Sequence, residues 1–222
     1  ANTVDDAIEI YSDESRSQIL GNWITLRQQL KKSKGQPNIA LADFIAPKKS
    51  EKVDYMGAFC VTTGFGTEEK AKLFEDANDD YSSIMVKALS DRLAEAYAEY
   101  LHAQIRTKYW GYAASEGLTN EDLIQEKYQG IRPAPGYPAC PDHLEKNTLW
   151  KLLDVEETIG VSLTESLAMW PASSVSGYYF AHPQARYFGL GKIKEDQLTN
   201  YSKRRGIKIE EARKWLNPNL AE

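Results

Sequence analysis

The sequence predicts an α+β fold around an antiparallel sheet. Strand-like and turn-like segments fill residues 1–65, helical periodicity takes over from Gly66, and strand patterns return after Gly160, without the regular β-α-β alternation of a parallel sheet. The 222 residues suit one domain, or two small lobes sharing a core, and 42% hydrophobic with 11% aromatic content is enough for a globular interior.

In the first block, Ile8-Glu-Ile-Tyr11 alternates as a half-buried strand, and Asp54 to Val61 reads as a buried strand closed by Gly64. Between them, Ile19 to Leu30 fits either a strand or a helix. The run Lys48-Lys49-Ser50-Glu51-Lys52 is an exposed loop. Thr67 is a candidate N-cap, with Glu68 and Glu69 suited to the positive end of a helix. A long helix then covers roughly Tyr81 to Trp110. Its apolar stripe runs Met85, Leu89, Leu93, Ala96, Tyr97, Tyr100, Leu101 and Ile105, at spacings of mostly three and four.

A second helix is announced by the capping box Thr119-x-x-Asp122 and stops at Gly130; a third begins at Asp142-x-x-Glu145 and fades near Gly160. Val161 to Met169 is the next strand, with Tyr178-Tyr-Phe180 or Ala185 to Ile193 as the other. Two helices, near Lys194–Arg205 and Ile209–Leu216, close the chain on either side of Gly206. There is no internal repeat and no low-complexity tract.

Several function classes are disfavoured at this level. The net charge is −5, and the basic clusters Lys31-Lys32 and Lys203-Arg204-Arg205 are too short to neutralise a phosphate backbone, so no nucleic-acid partner is expected. No apolar run is long enough for a bilayer, and the N-terminus lacks the basic start and apolar core of a signal peptide. Cys60 and Cys140 form no Cys-x-x-Cys pair, and His102, His143 and His182 show no ligand spacing, so no protein metal site is expected. Two free thiols fit a reducing, cytoplasmic location. The chain opens on Ala1 and not Met, and it reads as part of a longer polypeptide.

Three segments could carry chemistry. In Arg132-Pro-Ala-Pro-Gly-Tyr-Pro-Ala-Cys-Pro-Asp-His143, the prolines impose a stiff, extended backbone that cannot pair as a central strand. Arg132 could grip a carboxylate through two hydrogen bonds, Gly136 permits close backbone approach, and Tyr137 offers a ring and a hydroxyl. Composition alone favours a rigid linker here. Asp91 and Glu95, with His102 two turns further, share a helix face that is either a solvated stripe or a polar ledge against a ligand. Ser173 to Pro183, followed by Arg186-Tyr-Phe188, places aromatics where they could stack on a purine or approach a sulfonium; ordinary sheet packing is the plainer alternative. No Gly-x-Ser-x-Gly elbow and no Gly-rich phosphate loop is present, so a hydrolase is remote.

Taken in order, these segments resemble the C-terminal reactivation domain of cobalamin-dependent methionine synthase. The likeness is carried by Leu26-Arg-Gln-Gln29, Leu41-Ala-Asp-Phe44, Asp91-Arg-Leu-Ala-Glu-Ala96 and Tyr128-Gln-Gly-Ile-Arg-Pro-Ala-Pro-Gly-Tyr-Pro-Ala-Cys-Pro141. It continues through Leu163-Thr-Glu-Ser166, Val175-Ser-Gly177 and Trp215-Leu-Asn-Pro-Asn-Leu220, so it spans essentially the whole chain. The resemblance implies a C-shaped single domain with a twisted antiparallel sheet flanked by helices, here residues 1–222 of a larger enzyme and truncated at the N-terminal side. It implies a groove for S-adenosylmethionine, whose methyl group rescues cob(II)alamin carried by another domain of the same polypeptide. It also implies a flavodoxin or flavin reductase as the source of the electron.

Residue by residue, the resemblance implies that Arg132 holds the ligand's carboxylate and that the backbone from Ala134 to Gly136 meets the adenine. Glu95 helps with polar groups, Tyr137 stands near the transferring methyl, Tyr187 and Phe188 line the groove, and Asp91 addresses the cobalamin domain. An Asp that family members place before the point where this chain starts, expected to take the ligand's amino group, has no counterpart here. The alternative is an interaction module that caps the cobalamin domain and recruits flavodoxin without binding nucleoside.

Overall fold

Alternating residues at the start of the chain fold into an antiparallel ladder of β1 (Asn2–Val4), β2 (Ala7–Tyr11) and β3 (Ile19–Ile24), in that order. The computed structural model describes residues 1–221. Ile8 lies opposite Trp23 in the register, and both are fully buried. The open question over Ile19–Leu30 is thereby settled as strand to Ile24, after which the chain runs without regular structure. There Arg27 is fixed between the carboxylates of Asp6 and Asp43. Lys48–Ser50 forms one exposed 3-10 turn, within the loop predicted for it.

The remaining elements are β4 (Gly57–Thr62), α1 (Thr67–Asp76), α2 (Asp80–Gln104), α3 (Asn120–Ile124), α4 (Glu145–Leu153), α5 (Val155–Ile159), β5 (Ser162–Leu163), β6 (Met169–Trp170), β7 (Ser174–Tyr179), α6 (Glu195–Arg205) and α7 (Ile209–Leu216). β4 pairs antiparallel with β7, and β5 with β6. The α+β class holds, with the antiparallel pairing divided among three ladders. Val161–Met169 is not one strand: Leu167 takes a positive φ of 61° and its N–H bonds Thr164 O, so the chain turns back on itself. Of the two candidates for the other strand, Tyr178–Phe180 runs through the end of β7, and residues 185–193 form none.

Helix α2 departs most from expectation. The predicted stripe faces outward along most of its length: Leu89, Leu93 and Tyr100 are 55%, 59% and 60% exposed. The buried line is Ser83, Ser90, Ala94, Ala98 and His102. Large aromatic rings, Phe59 of β4 and Tyr179 of β7, already fill the space beneath the helix, and small residues let its backbone approach them. The buried serines are satisfied: Ser90 Oγ donates to Thr63 O (2.9 Å), and Ser83 Oγ donates to Glu75 (2.8 Å). Thr67 is not the cap of α1. Gly66 takes that place at a positive φ, and the Thr67 hydroxyl donates to Ser90 Oγ instead. Helix α2 gives way at Ile105 to a π-helical turn through Tyr109. The Thr119–Asp122 capping box forms, but α3 ends at Ile124, well short of Gly130.

One buried cluster ties the ends of the chain together. Arg205, at the end of α6, places Nη2 at 2.5 Å from Asp142 and 2.8 Å from Glu145. The Tyr201 hydroxyl also donates to Asp142, and the Ile24 N–H donates to Glu145 Oε1 (2.6 Å). Above it, Trp23 stacks on Tyr178 at 4.0 Å, joining the first ladder to the second. Two carboxyls share one guanidinium away from water. Burial pushes the Glu145 carboxyl from 4.5 up to about 8, opposed by Arg205 and assisted by Asp142.

Two predictions follow from these placements. Leu93→Ala should change unfolding free energy by less than about 0.5 kcal/mol, and Ala94→Leu should cost about 1–3 kcal/mol, measured by urea melts; the reverse order would mean that the predicted stripe faces inward after all. The second concerns pH. Between pH 6.5 and 8 the unfolded chain has lost the Glu145 proton that the folded chain keeps, so stability falls as pH rises, by at most about 2 kcal/mol. Below 6.5 His102 acts oppositely. Its folded pKa is pushed down to about 2, so the unfolded chain alone takes up a proton and acid destabilises. Glu145→Gln should remove the decline above pH 6.5; an unchanged slope would refute the assignment.

Candidate functional site

The Arg132–Tyr137 segment begins as an edge of the β4–β7 ladder. Ile131 exchanges both backbone hydrogen bonds with Phe180 (3.0 Å each), and Pro133 O accepts from Tyr178 N–H (3.0 Å). Pro133 has no N–H to return to Tyr178, so the pairing with β7 ends there, and the outward-facing N–H between Ile131 and Pro133, that of Arg132, is taken by the Tyr187 hydroxyl. The approach to β7 is close enough that a Cβ on Gly177 would lie 2.6 Å from Pro133 O. Beyond Pro133 the chain closes a tight double turn: Tyr137 N–H donates to Ala134 O (3.1 Å), Gly136 N–H to Cys140 O (2.8 Å) and Cys140 N–H to Tyr137 O (2.9 Å). It is not a linker between lobes. Gly136 takes φ +97°, and a Cβ there would meet the His143 ring at 2.3 Å. The close approach that this glycine allows is made by a side chain of the protein itself.

Against this segment opens a groove of about 680 Å³. Glu95 and Glu99 of α2 line it on one side, Glu126 and Tyr128 on another, Arg132, Ala134 and Tyr137 form the third, and Tyr187 and Phe188 the fourth. The structure thus brings together Glu95, Arg132, Ala134, Tyr137, Tyr187 and Phe188 from the residues singled out in the sequence. Gly136 is not among the groove's lining residues; it borders a smaller cavity with His143 and Lys146 that shares Glu95, Ala134, Tyr137 and Val175 with the groove. Asp91 lies outside too. Its carboxylate accepts from Ser173 Oγ (2.5 Å) and borders a shallow cavity that shares Glu95 and Val175 with the groove.

Arg132 is held at both ends. Its backbone N–H donates to the Tyr187 hydroxyl (3.0 Å), and its Nη2 donates to Glu99 Oε2 (3.0 Å), while Nε has no partner. Burial alone would weaken its charge. The Glu99 carboxylate outweighs that and keeps its pKa above the usual value. Behind Glu99 stands Arg106, fully buried, with two nitrogens on the Glu116 carboxylate (2.7–3.0 Å) and the Tyr128 ring 4.4 Å from its guanidinium. The π-helical turn carries Arg106. Such turns commonly mark functional sites. His102, expected on the ledge with Asp91 and Glu95, points inward instead. It stacks on Tyr179 at 5.2 Å, and burial with Arg106 and Arg132 nearby keeps it neutral.

Sequence reasoning missed Glu99, Glu126 and the Arg106–Glu116 pair. Glu99 was within reach, since it follows Glu95 by one helical turn. Nothing in the sequence distinguishes Arg106 from a solvated helix-end cation.

Chemically, the groove offers one cation, several carboxylates and aromatic walls, which suits a ligand carrying both charges and a flat ring system. Its lining holds no nucleophile with a base beside it. Among the described residues no group of three or more His, Cys, Asp or Glu is placed to hold a metal, and no helix is long and apolar enough to cross a membrane. Fold and groove together are those of a domain with a ligand-sized groove and no catalytic constellation of its own. The chain belongs to the family of vitamin B12 dependent methionine synthase activation domains, whose model matches residues 1–206, and hence to a methyltransferase of methionine biosynthesis. A crystal structure of the MetH reactivation domain bound to AdoHcy is similar to it with a TM-score of 0.97 and 56% identity, covering 100% of this chain and 68% of that one.

Proposed function

We propose that the groove binds S-adenosylmethionine and holds its methyl group toward a cobalamin carried by another domain of the same polypeptide, supporting reductive methylation of the inactive cofactor. The supporting observation is the convergence of Arg132, Tyr137 and Tyr187 on one groove, in a chain that is 56% identical along its whole length to a domain solved with AdoHcy. We read residues 1–222 as one such domain of a larger cytoplasmic enzyme. A flavodoxin or flavin reductase is the electron donor.

In this reading Arg132 takes the ligand's carboxylate with the donors that Glu99 leaves free. Tyr187 and Phe188 flank the nucleoside, and the Ala134 end of the Ala134–Gly136 backbone is the part that meets the adenine. Glu95 receives polar groups of the ligand. Tyr137, 59% exposed at the rim, stands at the reactive end, and Asp91 faces the cobalamin domain. A sulfonium methyl is already activated, and cobalamin when bound supplies the nucleophile. No proton has to move through a side chain. The domain's contribution is alignment, which can lower a barrier by several kcal/mol.

Calorimetric titration with S-adenosylmethionine tests this. The parent chain should bind saturably, and Arg132→Ala should weaken binding by about 10- to 100-fold, the value of a charged hydrogen bond. No saturable heat, or equal binding by the variant, would overturn the reading. It would favour a module that caps the cobalamin domain and recruits flavodoxin, for which the apolar outer face of α2 speaks. Tyr137→Phe should leave ligand affinity within about twofold and slow reductive methylation in the full enzyme. Lost binding with normal methylation would contradict the placement of Tyr137.

A further inference from the structure

Glu99 touches two guanidinium groups from opposite sides. Its Oε2 accepts from Arg132 Nη2 at 3.0 Å, and its Oε1 lies 3.9 Å from Arg106 Nη1. Those last two atoms are both buried and both without a hydrogen bond, so each is left with the other as a nearby opposite charge. Arg106 itself cannot swing away. It is fully buried, gripped by Glu116 from beyond and covered by the Tyr128 ring.

We infer that Glu99 is a positioning residue for Arg132, fixing the ligand-facing guanidinium through a half-buried chain Glu116–Arg106–Glu99–Arg132 that is anchored on the buried Arg106. Charge alternates along this chain, and it ends at the groove on a cation with an unpartnered Nε. The next place in the alternation is for an anion, which the carboxylate of an amino-acid ligand would fill. The Arg132 backbone is pinned by β7 on one side and Pro133 on the other, but its side chain has several free torsions of its own. Glu99 removes that freedom at the far end. A fixed fork loses less on binding than a mobile one.

The bland account is that Glu99 merely offsets the charge of Arg132. Geometry separates the two. Glu99→Asp keeps the charge and withdraws the carboxylate by one methylene, so offsetting would survive it and positioning would not. This inference rests on the proposed function, since it needs a ligand carboxylate on Arg132.

The test is titration of the 222-residue chain and its Glu99→Asp and Glu99→Gln variants with S-adenosylhomocysteine, and with 5′-methylthioadenosine, which shares the nucleoside and lacks the carboxylate. Thermal melts of each variant show which are folded, and Glu99→Asp, the milder change, carries the conclusion if Glu99→Gln unfolds. Both variants should lose about tenfold or more in affinity for S-adenosylhomocysteine and stay within about twofold for 5′-methylthioadenosine. Equal losses for both ligands would mean a general structural role and overturn the inference, as would unchanged or tighter binding of S-adenosylhomocysteine. If the parent chain bound neither ligand, the proposed function itself would fail first.

Discussion

The groove depends on the contact of two backbones. Ile131 to Pro133 lies along β7 so closely that only a glycine is accommodated at position 177. That contact fixes the main chain at Arg132, and Tyr187 then closes on its N–H from a segment without regular structure. Side chains could not be set so firmly from a free loop. Proline here does two things at once: it holds the chain extended, and at Pro133 it ends the pairing with β7, after which the chain turns.

Helix α2 serves the same arrangement from the other side. It approaches the β4–β7 ladder on serines and alanines, which brings Glu99 to Arg132 and Glu95 to the same groove. Its larger residues are left facing outward. The π-helical turn that follows carries Arg106, where the regular helix ends, into the interior. The resulting buried pair with Glu116 is costly to desolvate, and such pairs are better explained by the geometry they impose than by net stability.

Much of this was legible in the sequence. The α6 and α7 boundaries, the β2 alternation and the Thr119 capping box are local features, set by residues within one or two turns of each other, and they survived folding. The Arg132–Tyr137 segment stood out because proline restricts its own backbone whatever surrounds it. What was not legible depended on neighbours. Periodicity showed that α2 has an apolar face but not that Phe59 and Tyr179 would already occupy the space beneath it, so the buried face was misassigned. The His143 ring lies where a Cβ on Gly136 would be, a neighbour that the local sequence does not reveal. Val161–Met169 had strand composition, yet a turn at Leu167 divides it.

The β4–β7 ladder also has a consequence for how the protein is made. Thr62 and Ser174, bonded side chain to side chain at one end of it, are 112 residues apart in sequence, and Tyr187 lies 55 residues beyond the Arg132 that it holds. Pairings this remote are the slowest to form. A ribosome therefore releases α2 and the proline segment before β7, one of the two strands that support them, has been made. Until β7 and Tyr187 have been made, Arg132 lacks both the strand that fixes its backbone and the hydroxyl that holds its N–H.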